Sequence, residues 1–332
     1  MSCYNPMTAY VTGINKDTGK KIIRFNADKL NIRDLKDFEV IQIPCGKCIG
    51  CRLKYSRIWA DRCMAEASYY NNNVFLTLTY DNDHLPEPYE GSKIHPLVKR
   101  DLQLFMKRLR RELPDQKIRF FACGEYGSPE KTFRPHYHLI LFNCKLDDVQ
   151  LLAKNERDFR YYISKTISGC WYSEKESHLP KEKRKPMGMH IITKVNWSTC
   201  AYVARYVVKK QTGKGAEIYE KFNYPPEFTL MSRKPGIGKQ FFEDHAIDIY
   251  YDGAFISTEE GAHRIYPNKY YDNLFDIEYP DCSVVLKENQ KISADSKLRL
   301  KLEMSSLSLS DNLKSEEVVK IAQTKILKRK EV

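Results

Sequence analysis

A chain of 332 residues, 42% hydrophobic and 30% charged, has enough apolar surface for one large core or two smaller ones, which excludes a disordered protein. Lys and Arg outnumber Asp and Glu 55 to 43, and the resulting net charge of +12 points to a polyanionic partner such as nucleic acid. No run reaches roughly 18 apolar residues, no long helix pairs a basic face with a Trp/Leu face, and no basic-then-apolar segment opens the chain. No membrane partner and no signal peptide are therefore expected, and the location reads as cytosolic.

The N-terminal region predicts a small β unit, with alternating runs at residues 8–13, 20–25 and 38–43 around a turn-rich stretch. Directly after it comes CGKCIGC, which spaces Cys45, Cys48 and Cys51 by two residues each. Ten cysteines in a cytosolic chain are expected to be reduced thiols or metal ligands. Closely spaced cysteines on a glycine-bearing turn suit a thiolate knuckle, because the chain must fold back sharply to aim three sulfurs at one ion. Cys3 is the favoured fourth ligand, brought back by the β unit, and Cys63 is the second choice. Structural zinc is the first reading, with an iron–sulfur cluster or plain thiols as alternatives.

Residues 52–70 predict a helix and 74–80, VFLTLTY, a strand with Phe75, Thr77 and Thr79 on one face. Residues 96–113 read as an amphipathic helix whose outer face is basic; such a face is usually just solvated. A strand over 117–123 runs into GEYG, and a turn then delivers the chain into RPHYHLILF, residues 134–142. In a strand, His136 and His138 share one face. Such a pair is commonly packed or exposed without a metal, and Glu125 alone could be an ordinary turn carboxylate. If Glu125 joins the histidines, the two-imidazole, one-carboxylate set suits Mg²⁺ or Mn²⁺ on a phosphate oxygen, or Fe²⁺ in an oxygenase.

Residues 146–159 predict a helix on the far side of the sheet, 173–186 a mobile charged loop, and 189–195 a strand. NWSTCAYVARYVVKK reads as a helix capped by Ser198 or Thr199, with Tyr202 and Tyr206 on one face. Tyrosines at this spacing commonly serve packing. Here Arg205, Lys209 and Lys210 supply the positive charge that a phenolate nucleophile requires. SRKPGIG, residues 232–238, is a loop in which Arg233, Lys234 and glycine amides could meet a phosphate. Residues 240–251 predict another helix, 253–280 an irregular aromatic-rich stretch, and the segment from about 281 one or two peripheral helices with a frayed end. No GxxxxGK[ST] motor motif occurs.

In this order, VFLTLTYD, RPHYHLILF and YVARYVVKK resemble the three motifs of the rolling-circle replication initiators of small single-stranded DNA bacteriophages, the microvirus type of the HUH endonuclease superfamily. IPCGKCIGCR, GEYG and SRKPGIG resemble further segments of that subfamily, and the likeness spans residues 3–238. It implies an α+β palm with a central antiparallel sheet, an N-terminal cysteine knuckle and peripheral C-terminal helices. The implied domains are a knuckle region 1–70, an endonuclease core 71–250 and an extension 251–332.

The resemblance also implies His136, His138 and Glu125 as ligands of catalytic Mg²⁺ or Mn²⁺, beside structural Zn²⁺ on Cys3, Cys45, Cys48 and Cys51. It implies Tyr202 and Tyr206 as nucleophiles, with Arg205, Lys209 and Lys210 sharing the charge and proton role; some relatives carry Lys where Arg205 stands. Arg134, Arg233, Lys234, Thr77 and Thr79 are the candidate nucleic-acid contacts. The expected activity is origin-specific nicking through a 5′-phosphotyrosine, priming from the free 3′-OH and recircularisation of the displaced strand. The expected partners are single-stranded and supercoiled replicative-form DNA, a host helicase and a host polymerase, in the bacterial cytoplasm. A non-catalytic zinc-knuckle nucleic-acid-binding protein and an Fe(II) oxygenase are the competing classes.

Overall fold

The computed structural model describes residues 3–16, 21–25, 39–127, 132–156, 158–209, 216–258 and 261–326, with the backbone alone for 205–209 and 325–326. Its contacts form two compact units, Met1–Tyr55 with Tyr279–Val332, and Ser56–Glu278.

In the first unit, β1 (Met7–Ile14) is the middle strand of an antiparallel sheet with β2 (Lys21–Arg24) and β3 (Glu39–Ile43). These are the three alternating runs of the sequence. α1 (Ile49–Ala67) begins inside the cysteine motif and continues into the second unit.

The second unit carries a seven-stranded sheet in the order β10-β5-β6-β4-β9-β8-β7. Its strands are β4 (Val74–Thr79), β5 (Arg119–Tyr126), β6 (Pro135–Phe142), β7 (Val149–Lys154), β8 (Arg160–Ser164), β9 (His190–Lys194) and β10 (Phe228–Met231). Every pairing is antiparallel. The expected α+β class, with a large antiparallel sheet and helices packed on it, is what the chain adopts. β6 is hydrophobic from Leu139 to Phe142 because it lies between β5 and β4 with both faces covered.

One sheet face presents Leu76, Leu78, Tyr137, Leu139 and Leu141 to α2 (Lys99–Glu112) and to Trp171, which follows α3 (Lys165–Cys170). Leu102, Phe105 and Leu109 supply the apolar stripe of α2 at helical spacing and are fully buried. The other face carries the histidines. There the tyrosine helix, α4 (Trp197–Lys209), packs on β5 and β6.

Three expectations change. Residues 149–154 form the edge strand β7, where a helix was expected, because Asn155 and Asp158 close a hairpin onto β8. Asp158 takes φ 56°, and the Asn155 Oδ1 accepts the Phe159 amide at 2.9 Å. A leucine-rich run of this length satisfies either period, and the turn decides. Residues 173–186 are ordered by two single 3₁₀ turns, with Arg184 donating to the Leu179 and Ser177 carbonyls. Residues 253–280 are regular rather than irregular, comprising the hairpin β11 (Ala254–Thr258) and β12 (Gly261–Ile265) followed by α7 (Lys269–Glu278). The Asn268 side chain caps α7 by accepting the Tyr270 and Tyr271 amides.

The remaining helices are α5 (Glu217–Lys221), α6 (Lys239–Tyr250), α8 (Pro280–Glu303) and α9 (Leu309–Ile326). α8 and α9 are the two expected C-terminal helices, joined by the Lys301–Glu316 ion pair at 2.6 Å, with the Ser308 hydroxyl capping α9. The last residues, 327–332, lie outside the described residues. Among the described residues no helix is long and apolar enough to cross a membrane.

Candidate active site

The strand register assembles the site. On β5 and β6, Glu125 stands directly opposite His136 and Cys123 opposite His138; on β4, Thr79 pairs with His136 and Thr77 with His138. Directly opposed residues point to the same face. β5 runs three residues beyond the strand expected from sequence, so Glu125 is a strand residue and not a turn carboxylate. Gly124 permits this extension. A Cβ there would meet the Phe228 ring of β10 at 2.9 Å.

Glu125 is 2% exposed, and its Oε1 lies 2.7 Å from His136 Nε2 and 3.0 Å from His138 Nε2. Burial alone raises a carboxyl pKa; the hydrogen bonds from the two imidazoles outweigh it and hold Glu125 down at about 2. The far nitrogens are anchored as well. His136 Nδ1 faces the Arg134 carbonyl at 3.1 Å, and His138 Nδ1 faces the Thr77 hydroxyl at 2.9 Å.

His136 therefore meets an acceptor at both ring nitrogens. A neutral imidazole has one N–H and cannot satisfy both. A divalent ion between Nε2 and the carboxylate removes the conflict, leaving Nδ1–H to bond the carbonyl, the usual outer arrangement of a metal-bound histidine. The three donor atoms lie within 4.8 Å of one another, and one carboxylate with two imidazoles is a borderline donor set. The residues fit such an ion.

Tyr202 reaches this cluster from α4. Its ring meets His138 edge-on at 5.1 Å and Phe75 at 6.2 Å, and it is half-buried. The helix is held at its start by a reciprocal cap, in which Asn196 Oδ1 accepts the Thr199 amide at 2.8 Å and Thr199 Oγ1 accepts the Asn196 amide at 2.9 Å. The cap is thus Asn196, not Ser198 or Thr199. Trp197, the first residue of α4, donates its indole N–H to the buried Asp61 at 3.2 Å, which also accepts from His263 at 2.9 Å. Sequence reading passed over Asp61 because a lone acid within a helix carries no local signal. The side chains of Arg205, Tyr206 and Lys209, and Lys210 altogether, lie outside the described residues.

The candidate nucleic-acid residues separate. Thr77 is engaged by His138, Thr79 Oγ1 donates to the Met189 carbonyl, and Arg134 is committed to Asn82 and the Tyr80 carbonyl. Arg233 and Lys234 are exposed. The glycines behind them are not free to cradle a phosphate. The Gly238 amide donates to Glu66 at 2.7 Å, and a Cβ on Gly236 would strike the Tyr270 hydroxyl at 2.4 Å. Arg62 and Arg119 hold the loop by its carbonyls at Ile237, Pro235 and Gly236.

The second candidate metal centre lies in the first unit. The sulfurs of Cys3, Cys45, Cys48 and Cys51 fall within 4.8 Å of one another, and all four cysteines are free. Backbone amides donate to them, Cys45 N to Cys3 Sγ at 3.2 Å, Tyr4 N to Cys48 Sγ at 3.3 Å and Cys48 N to Cys45 Sγ at 3.3 Å. Burial raises the Cys48 thiol, but these hydrogen bonds prevail and lower it to about 7. Four sulfurs gathered under amide donors suit a Cys₄ metal site. Cys63, the other candidate, is fully buried on α1 and takes no part in this cluster.

A family model for replication-associated proteins of the ORF2 type matches residues 73–211, from the start of β4 to just past α4. The chain is 32% identical over 282 residues to "Replication-associated protein ORF2" of Spiroplasma virus 4, covering 83% of this chain and 81% of the relative. It is 30% identical over 288 residues to "Replication-associated protein VP4" of Bdellovibrio phage phiMH2K, covering 85% and 79%. With "Replication-associated protein ORF4" of Chlamydia phage 1 it shares 34% over 176 residues, covering 51% and 38%. No solved structure matches the chain.

Proposed function

Because this chain belongs to the family of phage replication-associated proteins, we propose that it initiates replication by nicking one DNA strand at the viral origin through a tyrosine, as an HUH endonuclease of the microvirus type. The observation that carries this reading is the convergence of Glu125, His136 and His138 under the ring of Tyr202. An oxygenase would have no use for that tyrosine.

Mg²⁺ or Mn²⁺ held by Glu125, His136 and His138 would, when bound, polarise the scissile phosphate and offset charge in the transition state. The protein supplies the rest. The Tyr202 phenol loses its proton and its oxygen bonds to phosphorus; the bond from phosphorus to the 3′ oxygen breaks, and that oxygen takes up a proton. The products are a 5′-phosphotyrosine and a free 3′-OH for a host polymerase. No ATP is required, since the ester bond is exchanged and not lost.

Tyr206 lies four residues on along the same helix and serves as the second nucleophile when the regenerated origin returns. The released 3′-OH then attacks the first phosphotyrosine and closes a circle. Arg205, Lys209 and Lys210 stabilise phenolate, and Arg233 and Lys234 meet DNA backbone. The Cys₄ centre takes structural zinc. A host helicase opens duplex that supercoiling alone leaves closed, in the bacterial cytoplasm.

The test is a denaturing gel after incubation with labelled single-stranded origin DNA and Mn²⁺. A covalent protein–DNA band is expected, retained in part by Tyr202→Phe or Tyr206→Phe and lost in the double variant. DNA binding with no covalent band would replace this reading with a non-catalytic binding protein.

A further inference from the structure

A cavity of about 210 Å³ opens between α2 and the ordered 173–186 segment, over the sheet face opposite the histidines. Its lining brings together Lys107, Arg108, Arg111 and Arg184, against the single carboxylate of Glu174. Sequence alone gives such a basic helix face no meaning beyond solvation; the geometry here adds three observations.

The arginines are fixed in place. The Arg108 guanidinium, on a residue 7% exposed, donates to the Tyr172 carbonyl and lies 3.5 Å from the Tyr172 ring centre. The Arg184 guanidinium lies 4.8 Å from the same ring centre, with Nε on the Leu179 carbonyl at 2.9 Å and Nη1 on the Tyr172 hydroxyl at 3.3 Å.

Their charge is also not cancelled. Both donate to carbonyl or hydroxyl oxygens, and among the described residues neither makes an ion pair. The nearby acids are engaged elsewhere, Glu174 by Arg100 at 2.9 Å and Asp101 by the Tyr80 hydroxyl at 2.6 Å. Burial pushes the Arg108 pKa down, so its charge is held at a cost that an anion would offset.

The rim, finally, is open. Lys107 and Arg111 are exposed at its mouth. Tyr172 is 5% exposed and offers no ring face for a base to stack on, so the cavity is suited to phosphate and not to bases.

We propose that this pocket is a second DNA-backbone site, binding phosphodiester groups of the strand away from the nick, on the sheet face opposite the catalytic cluster. The proposal rests on the DNA-nicking reading for its substrate. Bidentate guanidiniums preset by carbonyls suit phosphate oxygens, and the absence of base contacts makes the grip independent of sequence. It would retain the displaced or flanking strand through the covalent stage.

The test uses the full chain and a Lys107→Ala/Arg111→Ala double variant, both surface substitutions, with Arg184→Gln as a second variant. Affinity is measured by anisotropy across a salt series for single-stranded origin DNA with and without long flanks, and for duplex with the same flanks. For the double variant, the salt slope with flanked DNA should fall by about 0.7 per lost contact on single strands or about 0.9 on duplex, which tells the two forms apart. The minimal origin oligonucleotide should bind and form covalent product as in wild type. Unchanged slopes for flanked DNA in both variants overturn the pocket, even where wild-type protein still forms the covalent product. Binding of inorganic phosphate with no change in DNA slopes overturns it too. Failure of wild-type protein to form covalent product defeats the nicking reading separately.

Discussion

Thr77 Oγ1 lies 2.9 Å from Nδ1 of His138, across the β4–β6 pairing that places the two residues directly opposite one another. The threonine is therefore a positioning residue for the cluster, and the DNA contact expected of it is not available while this bond holds. By accepting from Nδ1–H it leaves Nε2 bare toward Glu125.

Thr77→Val keeps the shape and removes the hydroxyl. Mn²⁺ affinity measured by titration calorimetry should fall about 10- to 100-fold, with the imidazole ¹⁵N shifts of His138 reporting a mixed tautomer. Thr77→Ser should restore both. Equal affinity in Thr77→Val and wild type would remove the threonine from the site.

The Cys₄ centre should hold one zinc per chain, assayed by metal analysis after dialysis. Cys48→Ser removes a sulfur that lies 3.9 Å from Cys3 and that accepts two backbone amides. Zinc content should drop and the first unit should become protease-sensitive. A variant with wild-type zinc content and protection would show that the cluster is not a zinc site.

Glu66 on α1 ties three elements together. It is buried against Arg119 of β5 and accepts the Gly238 amide at 2.7 Å. Removing one partner leaves Arg119 buried without a counter-charge, so Glu66→Ala should lose about 3–5 kcal/mol in urea unfolding. A loss below about 1 kcal/mol would mean that water or another acid replaces the carboxylate.

Asp148 sets the acid limb of stability. Partial burial would raise its pKa, but the Ser164 hydroxyl with the Thr166 amide and hydroxyl outweigh that and lower it. A depressed folded pKa contributes stability that is complete above the ordinary aspartate value and is lost as pH falls below about 4. Asp148→Asn should be less stable than wild type near pH 7, and the gap should narrow toward pH 3 in thermal melts. A gap constant with pH would rule out this linkage.

Much of the chemistry was legible along the chain. The alternation of His136 and His138, the four-residue step from Tyr202 to Tyr206 and the two-residue gaps of the knuckle follow from strand, helix and turn geometry, so local spacing specifies them. Spacing does not say which residue stands opposite which. Glu125 became a histidine partner, and Thr77 an orienting group, only through the register of β5 and β4 against β6. Asp61 joined Trp197 only through the packing of α1 beside α4. The 149–154 run shows the converse, a segment whose own pattern allowed helix until a hairpin with β8 settled it. Side-chain period is a property of a single element, whereas register and packing are properties of pairs far apart in sequence. The nature of the site's residues was thus readable from sequence, and their assembly into one cluster belonged to the tertiary structure.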